Sequence, residues 1–373
     1  MDRALYRPLL LTVAVAALVA GRSSAADDPL REKAIKLNQT TGEEAIKGRI
    51  IELAKDPTGT KKLLAVAAKM VTEEKDKRPL NYTACLILAK SAHVLKDYDL
   101  ALVFYRHCGE EAQKLSSERK IVEAFDGMTD VLFASKKYDD AEEQCRRFLD
   151  IPVQELDSEI SQFKPFMLEK LVKVLAAKGK SDDALKLTED LIEKDKGGWY
   201  FVHLKARVLQ TSQRYADAAD AYLEAIERLK KSTRGEEKVR DQFLKQIRYE
   251  LSGVYVDLKQ IDKASEQLES LLKDDPDNPT FLNDLGFIWA DHDMKFDEAE
   301  KLIRKAIDKD REQRKKAEDL TKDEDVDSAA YLDSLGWVLY KKKDYKEAKK
   351  YLQDATKLPE GKHIEIYDHL ADT

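Results

Sequence analysis

The stretch QIRYELSGVYVDLKQIDKASEQLESLLKDDPDNP, Gln246 to Pro279, decides the fold. Leu251 and Tyr255 stand four residues apart and share one helix face. A break follows at Lys259 and Gln260. Ala264, Leu268 and Leu271 then line a second helix at helical spacing. DDPDNP, Asp274 to Pro279, stops it with turn chemistry. Ala264 is small, so the two helices can approach closely where they cross. Ile261, three residues earlier, is expected to plug the corner between hairpins.

The same signature recurs along the chain: YDLA (Tyr98–Ala101), YDDA (Tyr138–Ala141), SDDA (Ser181–Ala184), YADA (Tyr215–Ala218), IDKA (Ile261–Ala264), FDEA (Phe296–Ala299) and YKEA (Tyr345–Ala348). Only Ser181 breaks the bulky start. The Ala-to-Ala spacings are 40, 43, 34, 46, 35 and 49. A period near 34 means stacked helical hairpins, in which each unit packs only on its neighbours. No window alternates with period two over strand length, so an all-α fold is expected. The surplus residues fall between repeats, near 110–120, 151–164, 230–241 and 307–328, and they are hydrophilic. They are expected to lengthen helices or to loop out. Residues 43–76 hold two further apolar-periodic helices, split by DPTGT (Asp56–Thr60).

This pattern resembles the tetratricopeptide repeat, a helix–turn–helix of 34 residues. The last full unit carries the motif in Leu332, Leu335, Gly336, Leu339, Tyr345, Ala348, Leu352, Ala355 and Pro359. The sixth has Leu282, Leu285, Gly286 and Trp289, then Phe296, Ala299, Ile303 and Ala306 after one inserted residue. The fourth has Val202, Ala206, Leu209, Tyr215, Ala218, Tyr222 and Ala225, with Lys205 where Leu is expected. The resemblance implies a right-handed superhelical α-solenoid. With the leader (1–26) described below, the chain divides into that leader, a linker with degenerate capping helices (27–81), seven repeats with insertions (82–362), and residues 363–373. That last segment is either a cap helix or the start of a truncated eighth repeat.

Composition agrees with a soluble, highly helical protein: 37% charged residues, nine Pro and fourteen Gly in 373 residues. Net charge is −7 with signs mixed and no basic stripe, which argues against nucleic acid. Arg3 and Arg7 precede LLLTVAVAALVAG (Leu9–Gly21), and RSSAA follows, the order of an export signal. That apolar run of about 13 residues is short for a membrane span. Cleavage after Ala25 or Ala26 is the reading; an uncleaved membrane anchor is the alternative. Cys85, Cys108 and Cys145 make an odd count and no disulfide framework. Cys85 and Cys108 fall near each other on antiparallel helices, which leaves open a bond between them or three small buried residues.

The chemistry of an enzyme is not visible. GKS (Gly179–Ser181) lacks the upstream Gly of a phosphate loop, and Gly179 reads as a turn between helices. Asp323, Asp325 and Asp327 lack the Gly and the closing Glu of a calcium loop. His363 and His369 are six apart and do not share a helix face. No catalytic residue, metal ligand, cofactor or small-molecule substrate is assigned.

The resemblance implies that the first helix of each hairpin lines a concave face. The positions pointing into it are Lys90 and His93, Glu169 and Lys173, then Tyr200, His203, Arg207 and Gln210. Gln246 and Tyr249, Asn283 and Phe287, and Asp333, Trp337 and Tyr340 complete the set. Rings, amides and cations suit an extended peptide. FLNDLGFIWADHDMKFDEAEKLIRKAI (Phe281–Ile307) and YLDSLGWVLYKKKDYKEAKKYL (Tyr331–Leu352) are similar to the closing repeats of bacterial envelope tetratricopeptide proteins. That resemblance implies an exported, non-catalytic scaffold for protein or peptide partners. A self-associating scaffold and the non-catalytic part of a longer enzyme are the alternatives.

Overall fold

The computed structural model describes residues 28–74, 79–153, 158–196, 198–233, 236–316, 325–358 and 360–373. Everything regular among them is helical. The chain divides into two compact units, residues 1–187 and 188–373. The leader and Pro359 lie outside the described residues.

In the first unit α1 (Asp28–Lys36), α2 (Glu43–Ala54) and α3 (Pro57–Glu73) precede the hairpins α4 (Tyr82–Val94)/α5 (Tyr98–Lys114) and α6 (Glu118–Ala134)/α7 (Tyr138–Leu149). Then come α8 (Glu159–Ala177) and α9 (Ser181–Lys194), and the boundary between units falls within α9. The second unit continues with α10 (Tyr200–Thr211)/α11 (Tyr215–Lys231), α12 (Glu237–Asp257)/α13 (Ile261–Asp274) and α14 (Pro279–Asp291)/α15 (Phe296–Lys316). It ends with α16 (Ala329–Lys341)/α17 (Tyr345–Ala355) and α18 (Ile364–Asp372).

The hairpins share one turn. In the first, Lys96 takes φ +58°, and its N–H donates to His93 O at 2.9 Å while Asp97 N–H donates to Ala92 O at 2.8 Å. This pair of bonds satisfies carbonyls that the helix end would leave open. Lys136, Gln213, Lys259 and Lys343 repeat the left-handed residue, and Gly179 is the one glycine that does so, at φ +75°. Asp97 and Asp344 then cap the following helices by accepting from Leu100 and Glu347 N–H. DPTGT is not a separate loop. Asp56 accepts from Gly59 N–H at 2.9 Å and Pro57 is the first helical residue, so the segment is the start of α3. α1 is an additional helix within the expected linker, tied to the end of α3 by a two-bond Arg31–Glu74 pair at 2.7 and 2.9 Å.

All seven signature alanines are fully buried. The bulky residue before each plugs no closed corner: Tyr345 is 49% exposed, and Tyr98, Tyr138, Tyr215, Ile261 and Phe296 are half-buried. Three of these rings lie edge-on or tilted against the end of the preceding helix, Tyr98 on His93, Tyr138 on Phe133 and Tyr345 on Tyr340. The three cysteines are free and buried, and burial pushes every thiol upward. The charge run after Ile307 extends α15 to Lys316. There Arg311 and Arg314 both grip Asp327, with bonds of 2.5–2.9 Å.

Two helical glycines discriminate this packing. A Cβ on Gly286 would stand 2.7 Å from Ile303 Cγ1 and 2.8 Å from Ala299 O, whereas one on Gly253 would meet nothing within 4 Å. Helix propensity alone favours Ala over Gly by about 0.8–1.0 kcal/mol at both sites. Gly253→Ala should therefore stabilise by about that amount, while Gly286→Ala should destabilise, because a backbone carbonyl in the way forces the helices apart. Chemical denaturation of the two variants would read opposite signs; a stabilising Gly286→Ala would refute the close crossing.

Candidate partner-binding face

Successive first helices of the second unit are joined by one polar row. His203 on α10 meets Glu250 on α12, Nε2 to Oε2, at 2.6 Å. Tyr249 on α12 donates to Asp284 on α14 at 2.7 Å. Trp337 on α16 donates through Nε1 to Asp291 on α14 at 3.1 Å. His369 on α18 meets both carboxylate oxygens of Asp333 on α16 at 2.9 and 3.0 Å. These bonds join α10 to α12, α12 to α14, α14 to α16 and α16 to α18.

Within this row the sequence-assigned residues fall into two groups. Tyr200, Phe287, Trp337 and Tyr340 are half-buried, and Arg207, Gln246 and Tyr249 are exposed, so a partner can reach them. His203, Asn283 and Asp333 are buried; His203 and Asp333 serve contacts between helices, and Asn283 donates to its neighbour Asp284 at 3.3 Å. Gln210 accepts from Tyr222 OH at 2.7 Å, and Gln246 donates to Glu250 Oε1 at 3.0 Å. The reason is geometric: for His203 the neighbouring first helix brings a carboxylate against the same face, and a buried polar group takes the nearest partner. Burial pushes the Glu250 carboxyl up, but His203, Gln246 and Arg207 outweigh it and leave it below the ordinary carboxylate value.

In the first unit Lys90 pairs with Glu123 at 2.8 Å, and His93 packs edge-on to Tyr98. Both line a cavity of about 410 Å3 with Tyr105, Glu123 and Asp130. Glu169 and Lys173 pair with each other along α8. Between them in sequence, Lys170 reaches back to Asp126 and Asp130 on α6, at 2.5 Å each.

Sequence reasoning missed Glu250, Asp284, Asp291 and His369. One signal was present: an acid immediately follows Tyr249 and Asn283, at the same repeat position in two successive units. His369 gave none. Six residues separate it from His363 along the chain, and its ring stacks on Trp337 at 4.2 Å and lies 6.3 Å from Phe287. Trp337 also stacks on Tyr340 at 5.2 Å, with the Lys341 ammonium 5.4 Å from the indole.

The His369–Asp333 pair carries a pH dependence of defined sign. Burial lowers the imidazole pKa, but the hydrogen bond and charge of Asp333, with the more distant Asp291 and Glu365, hold it above the ordinary 6.5. The stabilisation of α18 is thus fully present below about pH 6.5 and is lost as the pH rises through the raised value. Amide exchange in α18, corrected for its intrinsic pH dependence, should accelerate across that window. Asp333→Asn should remove the transition; a transition unchanged in that variant would count against the pair.

Among the described residues no cluster of His, Cys, Asp and Glu could hold a metal ion. No described helix is long and apolar enough to cross a membrane.

The chain is similar to several known proteins. One model of the tetratricopeptide repeat family matches residues 170–232 and 249–314, and a second matches 329–361. A TPR repeat-containing protein of Pseudomonas aeruginosa is 32% identical over 99 residues, 26% of this chain and 14% of the relative. The chain thus spans about a seventh of that relative's length. Among solved structures, a tetratricopeptide repeat protein from Parabacteroides merdae is 11% identical over 78% of this chain and 98% of its own, with a TM-score of 0.45. PilF of Pseudomonas aeruginosa is 13% identical over 69% of this chain and 99% of its own, also with a TM-score of 0.45. The family-model matches and the fully buried signature alanines show that the chain carries tetratricopeptide repeats.

Proposed function

We propose that the chain is an exported, non-catalytic bacterial scaffold that holds an extended protein or peptide segment along the first helices of its second unit. The observation that carries this reading is one partly accessible ring on each of four successive first helices: Tyr200, Tyr249, Phe287 and Trp337. An extended chain crossing them gains apolar area at each ring. Gln246 and Arg207, exposed beside them, can bind its backbone and a carboxylate. Tetratricopeptide-repeat proteins generally mediate protein–protein interaction, which supports the class of partner. Capture from a bacterial envelope fraction with residues 27–373 should recover a protein that competes with its own partner-derived peptide. Recovery of nothing above a control in which the rings are removed would sink the proposal.

Export makes a separate prediction. The basic–apolar–small order of residues 1–26 implies their removal, so native protein should begin at Ala26 or Asp27. N-terminal sequencing that returns Met1 would leave the uncleaved anchor.

A further inference from the structure

One repeat position of the second unit carries an acid in two successive hairpins, and its charge is answered in one and not in the other. Glu250 and Asp284 each precede a buried leucine of a first helix, Leu251 and Leu285. Each meets a side chain of the first helix before it, His203 and Tyr249. Glu250 thereby finds an imidazole, and the Arg207 charge reaches it as well. Asp284 finds only a neutral hydroxyl. Its other neighbour is the Asn283 amide, Nδ2 to Oδ1 at 3.3 Å. Among the described residues no lysine, arginine or histidine pairs with Asp284. Burial pushes its carboxyl above the ordinary carboxylate value, and the two hydrogen bonds offset that only in part.

A second acceptor beside it is also unanswered. Asn283 is 6% exposed, and its Oδ1 has no donor. Ser334 holds the corresponding position on α16, before Leu335, but its hydroxyl donates to Ala330 O at 2.9 Å. Two adjacent side chains of α14 thus keep acceptor capacity that the fold does not use, although buried polar groups are ordinarily paired. Aromatic rings border them. Phe281 lies one turn before Asp284 on the same helix face. Tyr249 bonds Asp284 through its hydroxyl and sets its ring 5.5 Å from that of Phe281. Tyr249 is exposed, and Asp284 and Phe281 are half-buried, so a side chain arriving from outside can reach the carboxylate past the rings.

We propose that Asp284 receives a lysine or arginine side chain of the bound segment, with Tyr249 and Phe281 flanking its stem. The proposal rests on the partner-binding reading above and adds the chemistry of the partner at one point of it. The occupant follows from charge. A half-buried carboxylate without a cation is costly, and an incoming ammonium or guanidinium supplies both the missing charge and the missing donors. Ring faces beside the carboxylate add cation–π attraction. A neutral side chain at this point leaves the carboxylate uncompensated, and an acidic one is repelled. The subsite therefore selects among partners as well as holding them.

A positional library of acetylated, amidated decapeptides tests it against the full chain; capped ends leave side chains as the only charges. The wild type should retain peptides enriched in Lys or Arg at one register. In a retained peptide, replacing that lysine by norleucine removes the charge and keeps the stem. Fluorescence anisotropy should then show binding weakened by about tenfold or more. This arm needs no variant of the protein. Asp284→Asn still accepts from the Tyr249 hydroxyl, so α12 and α14 stay joined, and circular dichroism should show it folded. It should bind the lysine and norleucine peptides alike. Asp284→Lys should move the enrichment to Asp or Glu. Retained peptides with no basic preference, or a lysine-to-norleucine ratio that Asp284→Asn leaves unchanged, overturn the proposal while the binding face stands. Failure of the face reads differently: no peptide is retained, or affinity survives both Tyr200→Ala with Arg207→Ala and Trp337→Ala. Either result removes the face and the subsite with it.

Discussion

Ala348→Leu should destabilise the second unit by about 1–3 kcal/mol. Ala348 is fully buried in α17, and the helix across from it leaves no slack. A Cβ on Gly336 of α16 would lie 3.2 Å from Ala348 O and 2.5 Å from Leu352 Cγ, so the two backbones are already as close as their side chains permit. Three extra carbons can be accommodated only by parting α16 from α17. That movement disturbs the core that Leu335, Leu339 and Ala355 share with the neighbouring hairpin. Ala264 in α13 is likewise fully buried, and Ala264→Leu should behave alike. For a unit of this size each kcal/mol moves the melting temperature by roughly 2–4 °C, so scanning calorimetry has ample range. Unchanged melting in both variants would mean that these positions face solvent and that the repeat register is wrong.

The parts of the fold legible in the sequence are those set by residues close together along the chain. The signature alanines, Gly286 and Gly336 mark crossings within a single hairpin, and Gly179 marks a turn within four residues. The other hairpin turns were harder to read because Lys96, Lys136, Gln213, Lys259, Asp293 and Lys343 adopt the left-handed conformation without glycine, each at a cost of about 1–2 kcal/mol. The bonds they close recover part of that cost, so composition alone does not mark them. The polar row was illegible for a different reason. His203 and Glu250 are 47 residues apart, and His369 and Asp333 are 36 apart. Insertions of varying length between repeats shift any fixed offset between such partners. Repeat numbering gives the helix face but not what the next helix sets against it, and that decided which positions remain reachable.

Tyr200→Ala combined with Arg207→Ala should weaken capture of the partner by about 2 kcal/mol or more, roughly 30-fold, with the fold intact. Tyr200 and Arg207 lie seven residues, two helical turns, apart on α10 and share its face. Arg207 is exposed, and its planar fork can take a carboxylate by two bonds. Tyr200 is half-buried beside Trp199, 5.7 Å between ring centres, so its ring is held in place before a partner arrives and little freedom is lost on binding. His203, between them, should not be touched, because removing it would leave the half-buried Glu250 without its partner on α10 and would confound binding with stability. Lys349→Glu on α17, an exposed second-helix position, is the matched control and should do little. If the double variant keeps full affinity and normal stability, the contact must lie further along the row, where Phe287 and Trp337 present the next rings. Trp337→Ala should then carry the loss. Its indole is stacked between Tyr340 and His369 and bonded to Asp291, which makes it the most firmly held ring on this side of the unit. Full affinity in both variants would remove the first helices of the second unit from partner binding altogether.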